Sequence, residues 1–515
     1  MDKILIFDFG GQTCQLISRR VREIGVYTDV VPGDSVISDI QLDGVKGIIM
    51  SGSPESVNTD AGLCVDSALY TAGLPILGIC YGFQRMTKDF GGEVKSLEKR
   101  EFGRAPVSFK METELFRDIP DGFTSWMSHG DSIASLGHGF SLTGESLHHI
   151  AAAVHEEKKL YGIQFHPEVS HCDYGTDILK NFVLKVCNAQ PEWNMDQYLQ
   201  DVIADIKETV GDRPVLLLIS GGVDSTVVGG LLLKALSGDQ VYLMYIDTGM
   251  MRKNETAEVE GFLNSLGAKH LHIIDASADF LTALLDIDDP EEKRRIIGDM
   301  FISVQEREVT KLSIENSFLA QGTLYTDMIE SGKGVGKKAH VIKSHHNVRS
   351  PLVESKRNAG LIIEPLQRLY KDEVRELGRK IGLPENIIGR HPFPGPGLAV
   401  RILGDITVEK CDILREADYI FIDQLKKRGL YDDIWQAFCV LLPVRSVGVT
   451  GDAREYGYVL ALRAITSRDG MTADVYPFDT KDLLEISSLI TNSVRQIGRV
   501  VYDISSKPPA TIEWE

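Results

Sequence analysis

The sequence predicts an α/β protein of about three domains, and three observations carry that expectation. As far as residue 390, short apolar runs alternate with segments of helical periodicity. Loops of glycine and other small residues follow several of those runs, where open α/β sheets bind ligands. And 515 residues exceed one core at roughly 100–200 residues per domain. The domains are expected at residues 1–192, 193–390 and 391–515.

Residues 3–9 and 47–50 read as buried strands, and residues 12–24 as a helix. Residues 75–79 read as a further strand and 83–90 as a helix, in a mostly parallel sheet. Between those two stands Gly78-Ile79-Cys80-Tyr81-Gly82-Phe83-Gln84. A cysteine flanked two residues on each side by glycine has the shape of a nucleophile elbow, with a helix dipole behind it that favours thiolate. The Tyr81 N–H is placed to stabilise an oxyanion, and the Ser51-Gly52-Ser53-Pro54 loop could give a second donor. A cysteine near a turn can equally be a small core hydrophobe. Farther on comes Gly162-Ile163-Gln164-Phe165-His166-Pro167-Glu168. On a strand, His166 and Glu168 would point to one face, so the acid could orient the imidazole that takes the cysteine proton. His129, in Ser128-His129-Gly130-Asp131, competes for the base role but lacks an acid at strand spacing.

Taken together, Cys80, His166 and Glu168 resemble the triad of class I glutamine amidotransferases. The resemblance implies attack of Cys80 on the side-chain amide of glutamine, release of ammonia and hydrolysis of a thioester. It implies Gly52 and Tyr81 as oxyanion donors and Gln84 as a residue that helps hold glutamine. Gly11 stands where that family usually has serine.

The second region opens on a buried-type strand, Pro214-Val215-Leu216-Leu217-Leu218-Ile219, running into Ser220-Gly221-Gly222-Val223-Asp224-Ser225-Thr226 and an apolar helix over 227–236. Strand, small-residue loop and helix N-terminus offer backbone N–H groups and a positive dipole end to a phosphate. Asp224 suits an anion site only with a bridging cation, which suggests Mg2+. No Gly-Lys-Ser/Thr follows, so this is not a Walker A loop; it resembles the pyrophosphate-binding loop of the N-type ATP pyrophosphatases. Further strands are expected at 241–247, 272–275 and 318–325. Asp247, at a strand end, resembles the adenosine-contacting edge of that class. Residues 332–338 mimic a P-loop, but the outer glycines are four apart and no strand precedes them, so a basic surface loop or lid is expected. Lys343 in a short apolar run is costly to bury without an anion, which makes it a candidate phosphate ligand. His345 and His346, adjacent on an extended segment, point opposite ways and are no metal pair. Arg294 and Arg295 are either solvated helix surface or contacts to a nucleotide phosphate.

Residues 391–397 cannot continue a helix and mark a hinge into a smaller α+β third domain, with strands at 446–450 and 458–464 and a helix at 481–494. Gly322-Thr323-Leu324-Tyr325, Lys343-Ser344-His345-His346-Asn347, Arg390-His391-Pro392-Phe393-Pro394-Gly395-Pro396-Gly397-Leu398, Gln436-Ala437-Phe438-Cys439 and the tail Ser506-Lys507-Pro508-Pro509-Ala510-Thr511-Ile512-Glu513-Trp514-Glu515 are similar to the glutamine-hydrolysing GMP synthetase family over the full length. Thr326 stands for a common proline there, and Arg349-Ser350-Pro351 for a glycine pair. The resemblance implies ATP with Mg2+, adenylation of xanthosine 5′-monophosphate (XMP), release of pyrophosphate and AMP, and a homodimer made by the third domain. It places Asp452, Arg454, Lys507 and Glu513 against XMP; an interface salt-bridge network is the alternative.

Composition narrows the alternatives. A formal charge of −19 argues against a nucleic-acid partner, which needs a basic footprint. Seven scattered cysteines without Cys-x-x-Cys fit a reducing cytoplasm and argue against disulfides or zinc. No secretory signal and no apolar run near the roughly 18 residues of a membrane span is visible. Rival readings are an NAD or asparagine synthetase, a tRNA-thiolating enzyme, or a non-catalytic nucleotide-binding regulator. Thiolation needs paired redox cysteines and a basic face, which the chain lacks, and an NAD synthetase would not carry the tail.

Overall fold

The computed structural model describes residues 1–515 except 60–62, 148, 313, 315, 331–350, 451–452 and 468–471; the side chains of 97–100, 329–330, 351, 450 and 453 also fall outside the description. The loop 332–338, Lys343, His345, His346 and Asp452 therefore lie outside the described residues. No described helix is long and apolar enough to cross a membrane. The chain divides into two compact units. One holds Met1–Tyr198 with the helix Tyr325–Glu330, the other Leu199–Leu324 with the described residues from 351 onward.

In the first unit, β1 (Lys3–Asp8) is followed by α1 (Cys14–Glu23), β2 (Tyr27–Pro32), β3 (Val45–Met50), β4 (Ile76–Ile79) and α2 (Tyr81–Asp89). Buried Cys14, Ile17, Ser18 and Val21 recur at helical spacing and seat α1 on the sheet. Then come β5 (Glu93–Phe109), β6 (Phe123–Ser135), β7 (Ser141–Ser146), β8 (His149–His155), β9 (Leu160–Ile163) and α3 (Gly175–Lys180). These strands form one sheet in the order β2-β1-β3-β4-β9-β8-β7-β5-β6. The expected parallel sheet is only half of it: β2 through β9 pair in parallel, while β9-β8, β8-β7, β7-β5 and β5-β6 are antiparallel. The reason lies in the connections. Among the described residues between 93 and 163 no helix is long enough for a crossover, and short turns permit only antiparallel neighbours.

The second unit begins in α4 (Met195–Val210) and continues with β10 (Val215–Ile219), α5 (Val223–Ala235), β11 (Val241–Asp247), α6 (Glu255–Ser265), β12 (His270–Asp275), α7 (Ser277–Ala283) and α8 (Pro290–Leu312). The strand expected over 318–325 is shorter, β13 (Phe318–Ala320), because Tyr325 already starts α9 (Tyr325–Glu330) of the first unit. There its hydroxyl accepts the Val30 N–H of edge strand β2 at 2.7 Å. After α10 (Pro351–Asn358) and β14 (Ile362–Ile363), the parallel sheet has the order β12-β11-β10-β13-β14. The chain thus runs outward from β10 to β12 and returns to β13 on the other side, a topological switch point at the carboxyl end of β10.

Next come α11 (Lys371–Lys380), α12 (Glu385–Ile388), α13 (Val408–Lys427), the long hairpin β15 (Gln436–Thr450) and β16 (Ala453–Thr466), β17 (Asp474–Val475), α14 (Thr480–Ser493) and β18 (Ile497–Tyr502). One hydrophobic core joins Leu216 and Met244 to Leu414, Leu460 and Ile490, so the expected division at 390/391 falls inside this unit. His391, expected in a hinge, is buried: it stacks on Tyr431 at 3.8 Å and its Nδ1 accepts the Ala437 N–H at 3.2 Å.

Candidate active sites

Cys80 sits between β4 and α2 with φ 51° and ψ −103°, a left-handed-side conformation that a non-glycine residue adopts only when its surroundings force it. The flanking glycines are what make the turn possible. A Cβ on Gly78 would fall 2.7 Å from the Gly82 carbonyl carbon and the Phe83 nitrogen, and one on Gly82 would fall 2.5 Å from the Met50 oxygen. The Cys80 N–H is tied to the Ile163 carbonyl at 2.8 Å, which anchors the elbow to β9.

His166 and Glu168 meet as expected, but not for the expected reason. β9 ends at Ile163, and Pro167 between them has no N–H for a ladder, so neither residue is on a strand. The segment is fixed instead by the His166 N–H on the Trp126 carbonyl (2.9 Å) and by Arg20 Nε on the Glu168 carbonyl (3.2 Å). Glu168 is fully buried and accepts from His166 Nδ1 at 2.7 Å; its Oε2 has no hydrogen-bond partner. Burial works against the imidazolium, but the Glu168 charge and the hydrogen bonds to Cys80 and Glu168 outweigh it, and the His166 pKa is raised well above its ordinary value. The residue expected as base thus lies beside the residue expected as nucleophile.

Gly52 and Tyr81, expected as oxyanion donors, both border the elbow. The Ser51 carbonyl accepts from the Gly82 N–H at 3.2 Å, which directs the Gly52 N–H of the same trans peptide the opposite way. A Cβ on Gly52 would lie 3.2 Å from His166 Cε1 and 4.0 Å from Cys80 Cβ, so Gly52 borders the pair directly. Tyr81 opens α2, where main-chain N–H groups have no partner within the helix. Gln84 turns inward: its Nε2 donates to the Asp131 carbonyl (2.9 Å) and to Gln164 Oε1 (3.3 Å), and Gln164 Nε2 lies 3.6 Å from Cys80 Sγ. Gln164 is a site residue that sequence reasoning passed over; the signal was an amide side chain inside the apolar run Ile163-Gln164-Phe165.

His129 has an acid after all, across the ladder rather than along the strand. Its Nε2 lies 3.3 Å from Glu101 Oε2, and its Nδ1 contacts the Asp131 carbonyl at 2.8 Å. Burial raises the Glu101 carboxyl, but contacts with His129 and Ser146 lower it further than that, below its ordinary value. Nδ1 is thus tied to its own hairpin, while Nε2 makes no hydrogen bond and has Glu101 only as a nearby charge.

In the second unit, the loop after β10 has the predicted form. Gly221 takes φ +78°, and a Cβ there would meet Glu255 Oε1 at 2.9 Å. Gly222 is the N-cap of α5; its carbonyl accepts from Ser225 Oγ (3.2 Å) and Thr226 Oγ1 (2.8 Å), while Ser220 Oγ lies 3.3 Å from Ser225 Oγ. Val223 is buried and anchors the loop. Gly322, beyond β13, packs on the same loop, its added Cβ falling 3.3 Å from the Ser225 nitrogen. Asp224 is gripped by Lys371 Nζ at 2.5 and 2.6 Å. Lys371, first residue of α11, was not foreseen, because no local motif marks it. Asp247 is committed to local order, accepting the Gly249 N–H at 2.9 Å and Thr256 Oγ1 at 2.6 Å.

Of the remaining candidates, Arg294 is half-buried on α8, where it pairs with Glu291. Arg454 is exposed on β16 opposite Val449. Lys507 exchanges both main-chain hydrogen bonds with Ala473, at 2.8 and 3.0 Å. Glu513 is held by Arg401 and Gln436.

Known proteins resemble the chain along all of it. The class-I glutamine amidotransferase family model matches residues 5–186, the NAD synthase model 195–293, and the GMP synthase C-terminal domain model 423–514. A glutamine-hydrolyzing GMP synthase of Bradyrhizobium diazoefficiens is 49% identical over 519 aligned residues, covering 100% of this chain and 93% of its own. That of Aquifex aeolicus is 49% identical, covering 99% of each; that of Lactobacillus gasseri is 48% identical over 100% and 98%. With an amidotransferase elbow in one unit, a phosphate-type loop in the other and similarity from end to end, the chain belongs to the family of glutamine-hydrolyzing GMP synthases.

Proposed function

We propose that this chain makes GMP by ATP-dependent amination of XMP, with glutamine as the nitrogen source. The observation that carries the reading is the pairing, in one polypeptide, of a Cys80-His166-Glu168 cluster with a Ser220-to-Thr226 loop at a switch point. At the first site His166 takes the Cys80 proton and Sγ attacks the glutamine amide carbon. The Gly52 and Tyr81 N–H groups receive the oxyanion, His166 returns the proton to departing ammonia, and water then frees glutamate from the thioester. Gln84, bonded to Gln164 beside Cys80, is assigned to holding the glutamine.

At the second site, the C2 oxygen of XMP displaces pyrophosphate from the α-phosphorus of ATP. Residues 220–226 hold the departing pyrophosphate, and Lys371 and Lys343 are assigned to the same anion. Ammonia adds at C2, AMP leaves and GMP remains, so XMP, ATP and ammonia balance GMP, AMP and pyrophosphate. Asp224 is the residue that would hold a magnesium ion, since magnesium takes one or two carboxylates with phosphate oxygens rather than a full protein cage; Lys371 Nζ, bonded to both Asp224 oxygens, would yield one of them to the ion. When bound, the ion neutralises charge on the pyrophosphate.

Arg294, Lys507, Glu513, Arg454 and Asp452 are assigned to XMP, and Asp247 to the adenosine side of ATP. The domain boundaries at 192 and 390 are kept in this reading. A homodimer through the C-terminal region is supported by Val447, Val449 and Tyr456, large apolar side chains exposed on the β15–β16 hairpin. The test is AMP release: it should require XMP and accept either glutamine or ammonium. Release with another acceptor and none with XMP would refute the assignment.

A further inference from the structure

The carboxylate of Glu513 is not carried on a loose tail. Arg401 meets it edge-on, Nε to Oε2 at 3.1 Å and NH2 to Oε1 at 2.8 Å, and Gln436 Nε2 adds a bond to Oε1 at 2.7 Å. Arg401 is 0% exposed while the Glu513 side chain keeps 21%, so the pair is sealed at one end and open at the other. The guanidinium lies over the rings of Phe438 (4.2 Å) and Phe393 (5.0 Å), and its NH1 is buried without a hydrogen bond. On either side, two more fully buried cations hold the tail: Lys293 reaches Glu515 Oε2 at 2.6 Å, and Arg463 reaches the Ser505 and Thr511 carbonyls at 2.5 and 3.1 Å.

Burying a guanidinium is costly, and a buried ion pair adds little net stability over an apolar replacement. What such a pair supplies is geometry, because a planar fork fixes a carboxylate in two directions at once. A carboxylate has about four lone-pair positions. Arg401 takes one on each oxygen and Gln436 a second on Oε1, which leaves a single acceptor position, on Oε2, in a side chain that is still partly exposed. The arrangement also cancels the charge that would repel a nucleotide phosphate.

We infer that Arg401 is the positioning residue of the acceptor-nucleotide site, holding Glu513 so that one lone pair of Oε2 receives one N–H or O–H donor of the nucleotide. The inference rests on the reading of Glu513 as an XMP contact. Arg401→Lys keeps the charge and removes the fork, and Glu513→Gln removes the charge and keeps the shape. Both variants of the full chain are assayed for AMP release with ammonium as nitrogen source, varying XMP and ATP separately, and their thermal midpoints are recorded. The KM for XMP should rise roughly tenfold or more in each, with the KM for ATP within about twofold. The double variant should match Glu513→Gln alone, because Arg401 acts only through Glu513. If Glu513→Gln raises the KM for XMP and Arg401→Lys does not, the inference is overturned. If Glu513→Gln leaves it unchanged, the reading of Glu513 itself fails. A rise in both KM values with a lowered thermal midpoint would mark Arg401 as merely structural and overturn the proposal.

Discussion

Replacing Gly52 by alanine probes the amidotransferase site at its narrowest point. The added methyl would stand 3.2 Å from His166 Cε1 and 4.0 Å from Cys80 Cβ. The first distance is a few tenths of an ångström inside ordinary carbon–carbon contact at about 3.5–4.0 Å. His166 cannot simply yield, because Nδ1 is tied to a fully buried Glu168 and its own N–H to Trp126. The methyl therefore displaces the oxyanion loop or occupies the space the tetrahedral oxygen needs. Losing one oxyanion donor costs roughly 100- to 1000-fold in kcat, about 2.7–4 kcal/mol, and a displacement near 1 Å costs a similar factor. The Gly52→Ala variant should show that loss in glutamate release and in glutamine-dependent GMP formation, with ammonium-dependent formation retained. Glutamate release within about threefold of the parent would refute the placement of Gly52 against the nucleophile.

Glu168→Gln keeps the shape but removes the charge that holds the His166 pKa up. Glutamine hydrolysis should fall by roughly 100- to 10,000-fold, and the His166 titration followed by NMR should move down in pH; an unmoved titration would contradict the role given to Glu168. Asp224→Asn and Lys371→Ala should stop amination with either nitrogen source while glutamine hydrolysis continues; selective loss of the glutamine-dependent reaction would sink their assignment to ATP. Burial above all, with the Arg252 and Lys426 charges, lowers the His391 pKa from 6.5 to about 4, against hydrogen bonds to the Tyr431 and Ile434 backbone. The unfolded chain then binds the proton first, so this contribution is complete above pH 6.5 and is lost as pH falls toward 4, about 3 kcal/mol in all. His391→Gln should flatten the urea-measured fall in stability between pH 6.5 and 4.5, and an unchanged slope would contradict it.

What the sequence disclosed was what short stretches of chain encode. The elbow at Cys80 was legible because the glycines that permit it are two residues away on each side. The loop after β10 was legible for the same reason. Lys371 was not, since it reaches Asp224 from 147 residues farther along the chain with no motif around it. The His166–Glu168 contact was foreseen through a strand that is absent, because two-residue spacing also survives in a proline-containing turn anchored by Trp126 and Arg20. The acid partner of His129 was invisible, since Glu101 meets it across an antiparallel ladder whose register no local pattern fixes. Nothing local in the sequence marks Arg401, Arg463 or Lys293 as buried. The folded tail, with the Ile402 carbonyl for Lys293, supplies the carboxylates and carbonyls that let them stay buried.

Cys80→Ala supplied with either nitrogen source tests the division of labour most directly. Glutamine-dependent GMP formation should fall by roughly a thousandfold or more, while the ammonium-dependent rate stays near that of the parent. Equal loss with glutamine and with ammonium would contradict two chemically separate sites on this chain.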